Sequence, residues 1–143
     1  MDHAAIAARI PHSGSMCLLQ RLESQDDRQI RCSASSHHDA DNPLRVEGVL
    51  PAASGVEYAA QAMALHGALA ATDGVAPTAG FLASVRGVRL RVPRLDDVAG
   101  DIQVSAERLA GDTRQALYSF ALHSARGVLL IEGRATVILD ATP

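Results

Sequence analysis

The sequence predicts an α+β protein in which a curved antiparallel sheet wraps around one long, buried helix. Small and apolar residues fill the run Leu50–Ala70 on every side, which is typical of a helix inside a protein. Four later segments alternate between apolar and polar residues with a period of two, as half-buried strands do. At 143 residues, we expect residues 1–143 to form a single domain.

The central helix carries one carboxylate and one amide among its apolar residues. Pro51 suits the first helical turn, and Glu57 and Gln61 are four residues apart, so they share a face. A carboxylate in so apolar a run needs a partner or a function. We therefore predict that Glu57 is catalytic near the N-terminus of a buried helix; a structural ion pair with an arginine is the alternative.

The remaining elements follow from periodicity and from turn residues. A short helix is predicted before Pro11, because proline disfavours helical geometry in the preceding residue. Two strands on either side of a polar turn suggest a hairpin before the central helix, and four antiparallel strands follow it. The predicted ranges are Asp2–Ile10 for the helix and Met16–Glu23, Gln29–Ser35, Gly80–Val92, Asp101–Leu109, Gln115–Ser124 and Val128–Leu139 for the strands.

Composition argues against several classes of function. The formal net charge is −3, which argues against nonspecific binding to nucleic acid. The central helix is too short and too polar to span a membrane. The first ten residues lack the basic and continuous apolar regions of a signal peptide, so we expect a cytoplasmic protein.

Two adjacent histidines, His37 and His38, lie in a polar loop beside Asp39 and Asp41. This group suggests a metal site. Neighbouring histidines on regular backbone do not face one point, however, and a solvated loop is the simpler interpretation. We expect no metal site.

Three segments carry a resemblance to a known family. Residues 10–21, IPHSGSMCLLQR, resemble the opening motif of the hotdog-fold β-hydroxyacyl-ACP dehydratases of the FabZ type. Residues 48–62, GVLPAASGVEYAAQA, resemble their helix motif P-G-x5-E-x3-Q-A, and residues 80–90, GFLASVRGVRL, resemble their G-F-L strand. The sequence is more similar still to the shorter ApeP-like relatives associated with aryl-polyene and similar lipid pathways.

The resemblance implies a hotdog fold, at least a homodimer, and a tunnel between the two subunits. In that family a helix carboxylate, here Glu57, works with a histidine from the other chain. Counting back from the helix proline places that histidine at Asn42 or Pro43, where this sequence has none, so our hypothesis is that a loop of different length lets His37 or His38 replace it. We favour His38, which is nearer in sequence.

The resemblance also implies residues that bind the substrate. Ala52 stands where the family has glycine, and its N–H could still serve as a backbone donor. His12 matches the family's N-terminal histidine, and Gln61 follows Glu57 by one turn. We expect Ala52, Gln61, His12 and Asn42 to contribute to substrate binding. Gln61 could also orient the Glu57 carboxylate or pack against the sheet, and His12 could instead stabilise a turn.

The implied activity is dehydration of a 3-hydroxyacyl thioester in fatty-acid, aryl-polyene or related lipid biosynthesis. The substrate would arrive on the phosphopantetheine arm of acyl carrier protein, and no other cofactor is expected. Acyl carrier protein is acidic, so the dense group Arg86, Arg89, Arg91 and Arg94 could dock it, unless these arginines simply form a solvated face. Two alternatives are a hotdog acyl-ACP or acyl-CoA thioesterase and a non-catalytic hotdog subunit that binds the carrier.

Overall fold

A computed structural model describes residues 1–10, 14–70, 81–112 and 114–138. The chain begins with a short helix, continues through two strands to the long helix, and ends in four strands. The helices are α1 (His3–Ala7) and α2 (Gly55–Ala70); the strands are β1 (Arg21–Gln25), β2 (Gln29–Ala34), β3 (Phe81–Leu90), β4 (Ile102–Gly111), β5 (Gln115–His123) and β6 (Leu129–Ile138).

These strands form one antiparallel sheet in the order β1-β2-β4-β5-β6-β3. The helix α2 packs mainly against β4, β2 and β5. In the sequence α2 lies between β2 and β3, and these two strands are far apart in the sheet. The edge strands are therefore β1 and β3, and β3 is the longer of the two.

The core lies between α2 and one face of the sheet. Alternate residues of β2, β4 and β5 point into it, as the period-two pattern predicts: Ile30, Cys32, Ala34, Ile102, Val104, Ala106, Tyr118, Phe120 and Leu122 are all buried. On the helix, Tyr58, Ala59, Ala62, Met63 and Leu65 are buried against them. The α+β prediction of a sheet around one buried helix is confirmed.

Some predicted boundaries need correction. The first strand begins at Arg21 rather than Met16, because residues 14–16 form a 3₁₀ turn. The long helix does not start as an α-helix near Leu50: residues 52–54 form a 3₁₀ turn that leads directly into α2 at Gly55. The predicted end of that helix, near Thr72, lies outside the described residues.

The alternation predicted for β3 is also wrong in part. A register shift lies between Arg86 and Arg89, and Gly87 between them has a φ of +59°. A β-bulge of this kind adds one residue to the strand and changes which side chains share a face. Consequently Val85 and Leu90, five residues apart, pair with Ala135 and Ile131, which are both buried.

The start of α2 lies very close to the sheet, and Gly55 makes this possible. A Cβ atom at Gly55 would lie 3.1 Å from side-chain carbons of both Ile131 and Leu122, whereas one at Gly67 would meet nothing within 4 Å. Gly55→Val should therefore lower the free energy of unfolding by about 1–3 kcal/mol through overpacking. Urea denaturation measures this change.

The matched control is Gly67→Ala in the same helix. It should raise the free energy of unfolding by about 0.5–1 kcal/mol, because alanine is the better helix former and the space is open. Equal effects from the two substitutions would contradict the close contact at Gly55.

Candidate active site

Glu57 lies in the first turn of α2, where its side chain is only partly exposed. A carboxylate suits this position because the amide dipoles of a helix make its N-terminus electropositive. Gln61 donates a hydrogen bond from Nε2 to Glu57 Oε1 over 3.3 Å. The prediction that Glu57 and Gln61 share a face of the helix is confirmed.

The side-chain amide of Gln61 is completely buried and holds two segments together. Its Oε1 accepts a hydrogen bond from the Leu18 N–H over 2.8 Å, and its Nε2 donates to the Met16 carbonyl over 2.7 Å as well as to Glu57. These contacts are to Glu57 and to the segment before β1, which favours orientation of the carboxylate as the role of Gln61. The chain before β1 therefore fixes the side chain that contacts Glu57.

The two adjacent histidines bind a single backbone atom. Residues 36–38 form a 3₁₀ turn, and His37 Nε2 and His38 Nε2 lie 3.1 and 2.6 Å from the Val98 carbonyl oxygen. A carbonyl only accepts, so both nitrogens carry the proton. The expectation that these side chains do not face one point is wrong. That expectation assumed regular backbone, whereas residues 36–38 form a 3₁₀ turn.

The histidines differ in their surroundings. His37 is completely buried and its Nδ1 has no hydrogen-bond partner among the described residues, whereas His38 is exposed, with its ring centroid 3.8 Å from that of His37. Burial lowers the pKa of His37 below its usual 6.5, and the neighbouring His38 lowers it further; the backbone of Val98 and Gly100 and the charge of Asp101 oppose this only in part. His37 is therefore neutral at pH 7.

Asn42 occupies one of the two positions to which the resemblance assigns a histidine. Its side-chain amide donates to the Ser36 carbonyl over 3.0 Å and to the Tyr58 hydroxyl over 3.1 Å, and its Oδ1 accepts from the Leu44 N–H over 2.9 Å. The Ser36 hydroxyl lies 2.8 Å from the same Tyr58 hydroxyl and donates to the Leu18 carbonyl. These contacts join residues 36–38, the histidine turn, to α2.

Sequence reasoning missed the part played by Tyr58 and Ser36. The apolar run around Tyr58 predicts a core residue, and its ring is indeed buried. The available signal for this hydrogen bond was a tyrosine next to Glu57 in a helix predicted to be buried. A buried tyrosine hydroxyl usually has a hydrogen-bond partner. The partners are loop residues far from Tyr58 in the sequence, so local sequence patterns do not identify them.

The connector between β3 and β4 packs against the start of the long helix. The Ala52 N–H donates to the Pro93 carbonyl over 3.2 Å, and the Leu95 N–H donates to the Leu50 carbonyl over 2.9 Å. In return, the Leu50 N–H donates to the Asp96 carboxylate over 2.9 Å. The backbone donor expected at Ala52 is thus engaged within its own chain.

The four arginines of the segment 86–94 differ in their partners. Arg91 lies 3.3 Å from the Glu132 carboxylate, and Arg94 forms a short ion pair with Asp96, whose pKa it holds well below the usual range. Arg86 and Arg89 instead line an open depression of about 930 Å³ together with residues of β2, β4, β5 and β6. Glu57 does not line this depression, which therefore lies apart from the candidate active site.

Two of the four other histidines, His12 and His66, lie elsewhere in the chain. His12, predicted to bind substrate, lies outside the described residues. His66 is buried, donating from Nε2 to the Asp26 carbonyl and accepting at Nδ1 from the Tyr118 hydroxyl, both over 2.7 Å. Both of its nitrogens are satisfied, which indicates a structural role.

A family model of ApeP dehydratases, described as ApeP-like, matches residues 4–141. The chain belongs to the ApeP-like dehydratase family. This match confirms the resemblance found in the sequence. It also supports a dehydratase-type enzyme. A search of curated proteins gave no match.

Solved structures confirm the hotdog fold of this ApeP-like chain. The dehydratase heterocomplex ApeI:P from Xenorhabdus doucetiae matches with a TM-score of 0.81 and 20% identity, over 96% of this chain and 91% of that chain. A point mutant of the thioesterase PA1618 from Pseudomonas aeruginosa matches with a TM-score of 0.69 and 16% identity, over 97% and 94%. Thioesterase HI1161 from Haemophilus influenzae gives 0.62 and 13%, over 83% and 76%.

Within the described ranges, no three His, Cys, Asp or Glu side chains are grouped so that they could hold a metal ion. The same part of the ApeP-like chain has no helix long and apolar enough to cross a membrane.

Replacing Gln61 tests the hydrogen-bond network below Glu57. Gln61→Leu removes the partner of both the Leu18 N–H and the Met16 carbonyl while keeping most of the side-chain volume. Unsatisfied buried backbone groups are costly, so the free energy of unfolding should fall by about 2–4 kcal/mol. The control Gln25→Leu, on exposed β1, should change it by less than about 0.5 kcal/mol, and a similarly small effect for Gln61→Leu would contradict the network.

The buried His37 makes stability depend on pH. The pKa of His37 is lowered in the folded chain, so near and below the usual pKa of 6.5 the unfolded chain binds more protons than the folded chain. The free energy of unfolding therefore decreases as the pH is lowered. Denaturation in urea between about pH 7.5 and 5 should show this loss, and His37→Gln should reduce its slope.

Proposed function

We propose that this ApeP-like chain is a 3-hydroxyacyl-[acyl-carrier-protein] dehydratase subunit in which Glu57 acts on the leaving hydroxyl. The observation that carries the proposal is the hydrogen bond from the buried Gln61 amide to the Glu57 carboxylate in the first turn of α2. A carboxylate held in this way does not have to be ordered when substrate binds. Membership of a dehydratase family supports the reaction class.

The proposed elimination needs two proton transfers. A base removes a proton from the α-carbon, and the negative charge that develops is delocalised onto the thioester oxygen. The electron pair then forms the α,β double bond as the C–O bond at the β-carbon breaks. Protonated Glu57 gives its proton to the departing hydroxyl, which leaves as water.

His38 is our candidate for the base. Because its Nε2–H donates to the Val98 carbonyl, the neutral ring has its basic lone pair on Nδ1, and the side chain is exposed. The Nδ1 of His37 is enclosed instead, which favours His37 as a positioning residue whose tilted ring lies against that of His38. As the resemblance implies, Glu57 and His38 would come from two different chains.

A second hotdog chain would complete the site. On β3 the side chains of Leu82, Val85 and Leu90 are 39%, 40% and 49% exposed, although their partners on β6 point toward the core. An edge strand with exposed apolar residues calls for a covering chain. The solved relative from X. doucetiae is a heterocomplex, so both a copy of this chain and a related hotdog subunit are candidates for the second chain.

The substrate would be carried by acyl carrier protein, with its phosphopantetheine arm as the only cofactor. We keep the arginine segment as the proposed docking site for this acidic carrier. Arg91 and Arg94 lie beyond the end of β3, and their ion pairs leave the guanidinium groups partly exposed. Fatty-acid and aryl-polyene biosynthesis are the pathways that supply such substrates.

A second candidate is a subunit that depends on a catalytic partner. Two observations favour it: the Ala52 N–H, which would stabilise the oxyanion, is bonded to Pro93, and Asn42, with its amide bonded inside the chain, stands where the family's histidine is expected. In that case the chain would hold and orient the substrate while the partner supplies the missing groups.

Intact-mass analysis of a 3-hydroxyacyl-carrier protein tests the proposal. The wild type should produce a carrier lighter by one water, and Glu57→Gln should slow this by about 10²–10⁴-fold, the usual contribution of a positioned acid or base. His38→Ala should have an effect of similar size. Glu23→Gln, on exposed β1, is the matched control and should react as the wild type does.

The other outcomes decide between the alternatives. Water loss that does not depend on Glu57 would contradict its catalytic role. Release of unacylated holo-carrier would indicate a thioesterase and overturn the dehydratase. Water loss only after a second hotdog subunit is added, with that subunit inactive alone, would support the partner-dependent subunit.

A further inference from the structure

One arginine binds the backbone on both sides of His38. Arg45 donates from Nη2 to the His37 carbonyl over 3.0 Å and from Nε to the Asp39 carbonyl over 2.8 Å. These two residues stand immediately before and after His38 in the sequence. A single guanidinium group therefore contacts the backbone that carries the candidate base, although it takes no part in the proposed proton transfers.

The histidine turn needs such donors because it is short. The last carbonyls of a helical turn have no partner within that turn. In residues 36–38 the Ser36 carbonyl accepts from the Asp39 N–H, whereas the carbonyls of His37 and Asp39 lie at the C-terminal end of the turn. Arg45 supplies donors to both. A cationic side chain suits this position, because the carbonyl end of a helical turn is electronegative.

A third contact of Arg45 reaches the chain that leads into α2. Its Nη1 donates to the Gly48 carbonyl over 2.7 Å. Val46 and Val49 exchange backbone hydrogen bonds of 2.7 and 3.0 Å, and the two residues between them, Glu47 and Gly48, have φ values of +51° and +80°. Positive φ at both central residues is typical of a type I′ turn, which reverses the chain. This reversal brings the Gly48 carbonyl back to the guanidinium group.

The three contacts fix the orientation of the guanidinium group. They use three different nitrogens of Arg45, each is charge-assisted, and the side chain is half-buried. A lysine ammonium group carries the same charge but lacks the planar arrangement of five donors, so it does not reproduce this set of contacts. The position of the histidine turn therefore depends on the shape of the arginine as well as on its charge.

We propose that Arg45 is a positioning residue that holds the histidine turn, and with it the His38 ring, in the orientation that proton removal from the substrate requires. In this role Arg45 contacts neither the substrate nor the reacting atoms. The inference rests on the proposed function in one respect, which is that His38 is the base. A displacement of a catalytic group by about 1 Å reduces a rate by about 10²-fold, so loss of these contacts should be visible in catalysis.

Hydrogen exchange tests the positioning without any catalytic readout. The N–H groups of His38 and Asp39 donate within the turn, to the carbonyls of Ser35 and Ser36, over 3.1 Å each. Arg45→Ala should accelerate their exchange by about tenfold or more, because hydrogen bonds to a charged group are among the stronger ones. The acceleration should exceed that of the Leu18 N–H, which Gln61 binds, so a general loss of stability is distinguished from a local one.

Kinetics test the consequence for the reaction. In the assembly that dehydrates a 3-hydroxyacyl-carrier protein, Arg45→Ala should lower kcat and kcat/KM together by about 10²-fold and leave KM unchanged. Arg45→Lys should not restore the rate, since it keeps the charge without the planar donors. The matched control is Arg126→Ala, which removes the same charge at an exposed turn and should react as the wild type does.

Chemical rescue separates a positioning role from structural damage. Guanidinium ion has the planar donors that Arg45→Ala lacks, and the side chain that it replaces is only half-buried. At concentrations well below those that unfold the chain, guanidinium should raise kcat of Arg45→Ala several-fold. Ammonium and sodium ions at the same ionic strength should not, because neither has this geometry.

Faster exchange in the turn together with guanidinium rescue would support the proposal. Exchange at His38 and Asp39 that is unchanged by Arg45→Ala, or already unprotected in the wild type, would overturn it. So would a rate loss confined to KM, a fully active Arg45→Lys, or a failure of guanidinium to restore activity. If the wild-type assembly releases no water at all, the proposed function has failed, and the exchange measurement alone decides whether Arg45 holds the turn.

Discussion

The site depends on one buried amide. The side chain of Gln61 joins the Leu18 N–H, the Met16 carbonyl and the Glu57 carboxylate, and it is fully enclosed. A buried amide is stable only when its donors and acceptor are used, so the segment before β1 and the helix α2 have to meet in one arrangement. That arrangement also sets where the Glu57 carboxylate lies.

A second set of contacts joins the loops around the start of α2. The histidine turn donates twice to the Val98 carbonyl, and the connector that contains Val98 bonds to Leu50 through Asp96. On the other side, Asn42 and Ser36 bond to the Tyr58 hydroxyl. Each loop is thus held from two directions, so a histidine on this turn has a defined orientation relative to the chain that carries it.

Local patterns were enough to predict much of this. Apolar residues all around α2 and the alternation in β2, β4 and β5 predict the fold, and the four-residue spacing of Glu57 and Gln61 predicts their shared face. What failed depended on long-range contacts or irregular backbone. The bulge at Gly87 altered the face pattern of β3, the 3₁₀ turn let both histidines reach Val98, and the partner of the Ala52 N–H lies far along the chain in the connector after β3.

The most direct test of the central claim is a crystal structure of the assembled protein with a pantetheine amide analogue of a 3-hydroxyacyl thioester, which binds but is not readily eliminated. The account predicts that a Glu57 carboxylate oxygen lies within hydrogen-bond reach, about 2.6–3.2 Å, of the 3-hydroxyl while Gln61 still holds it. An analogue bound elsewhere, with Glu57 out of reach of the hydroxyl, would contradict the account.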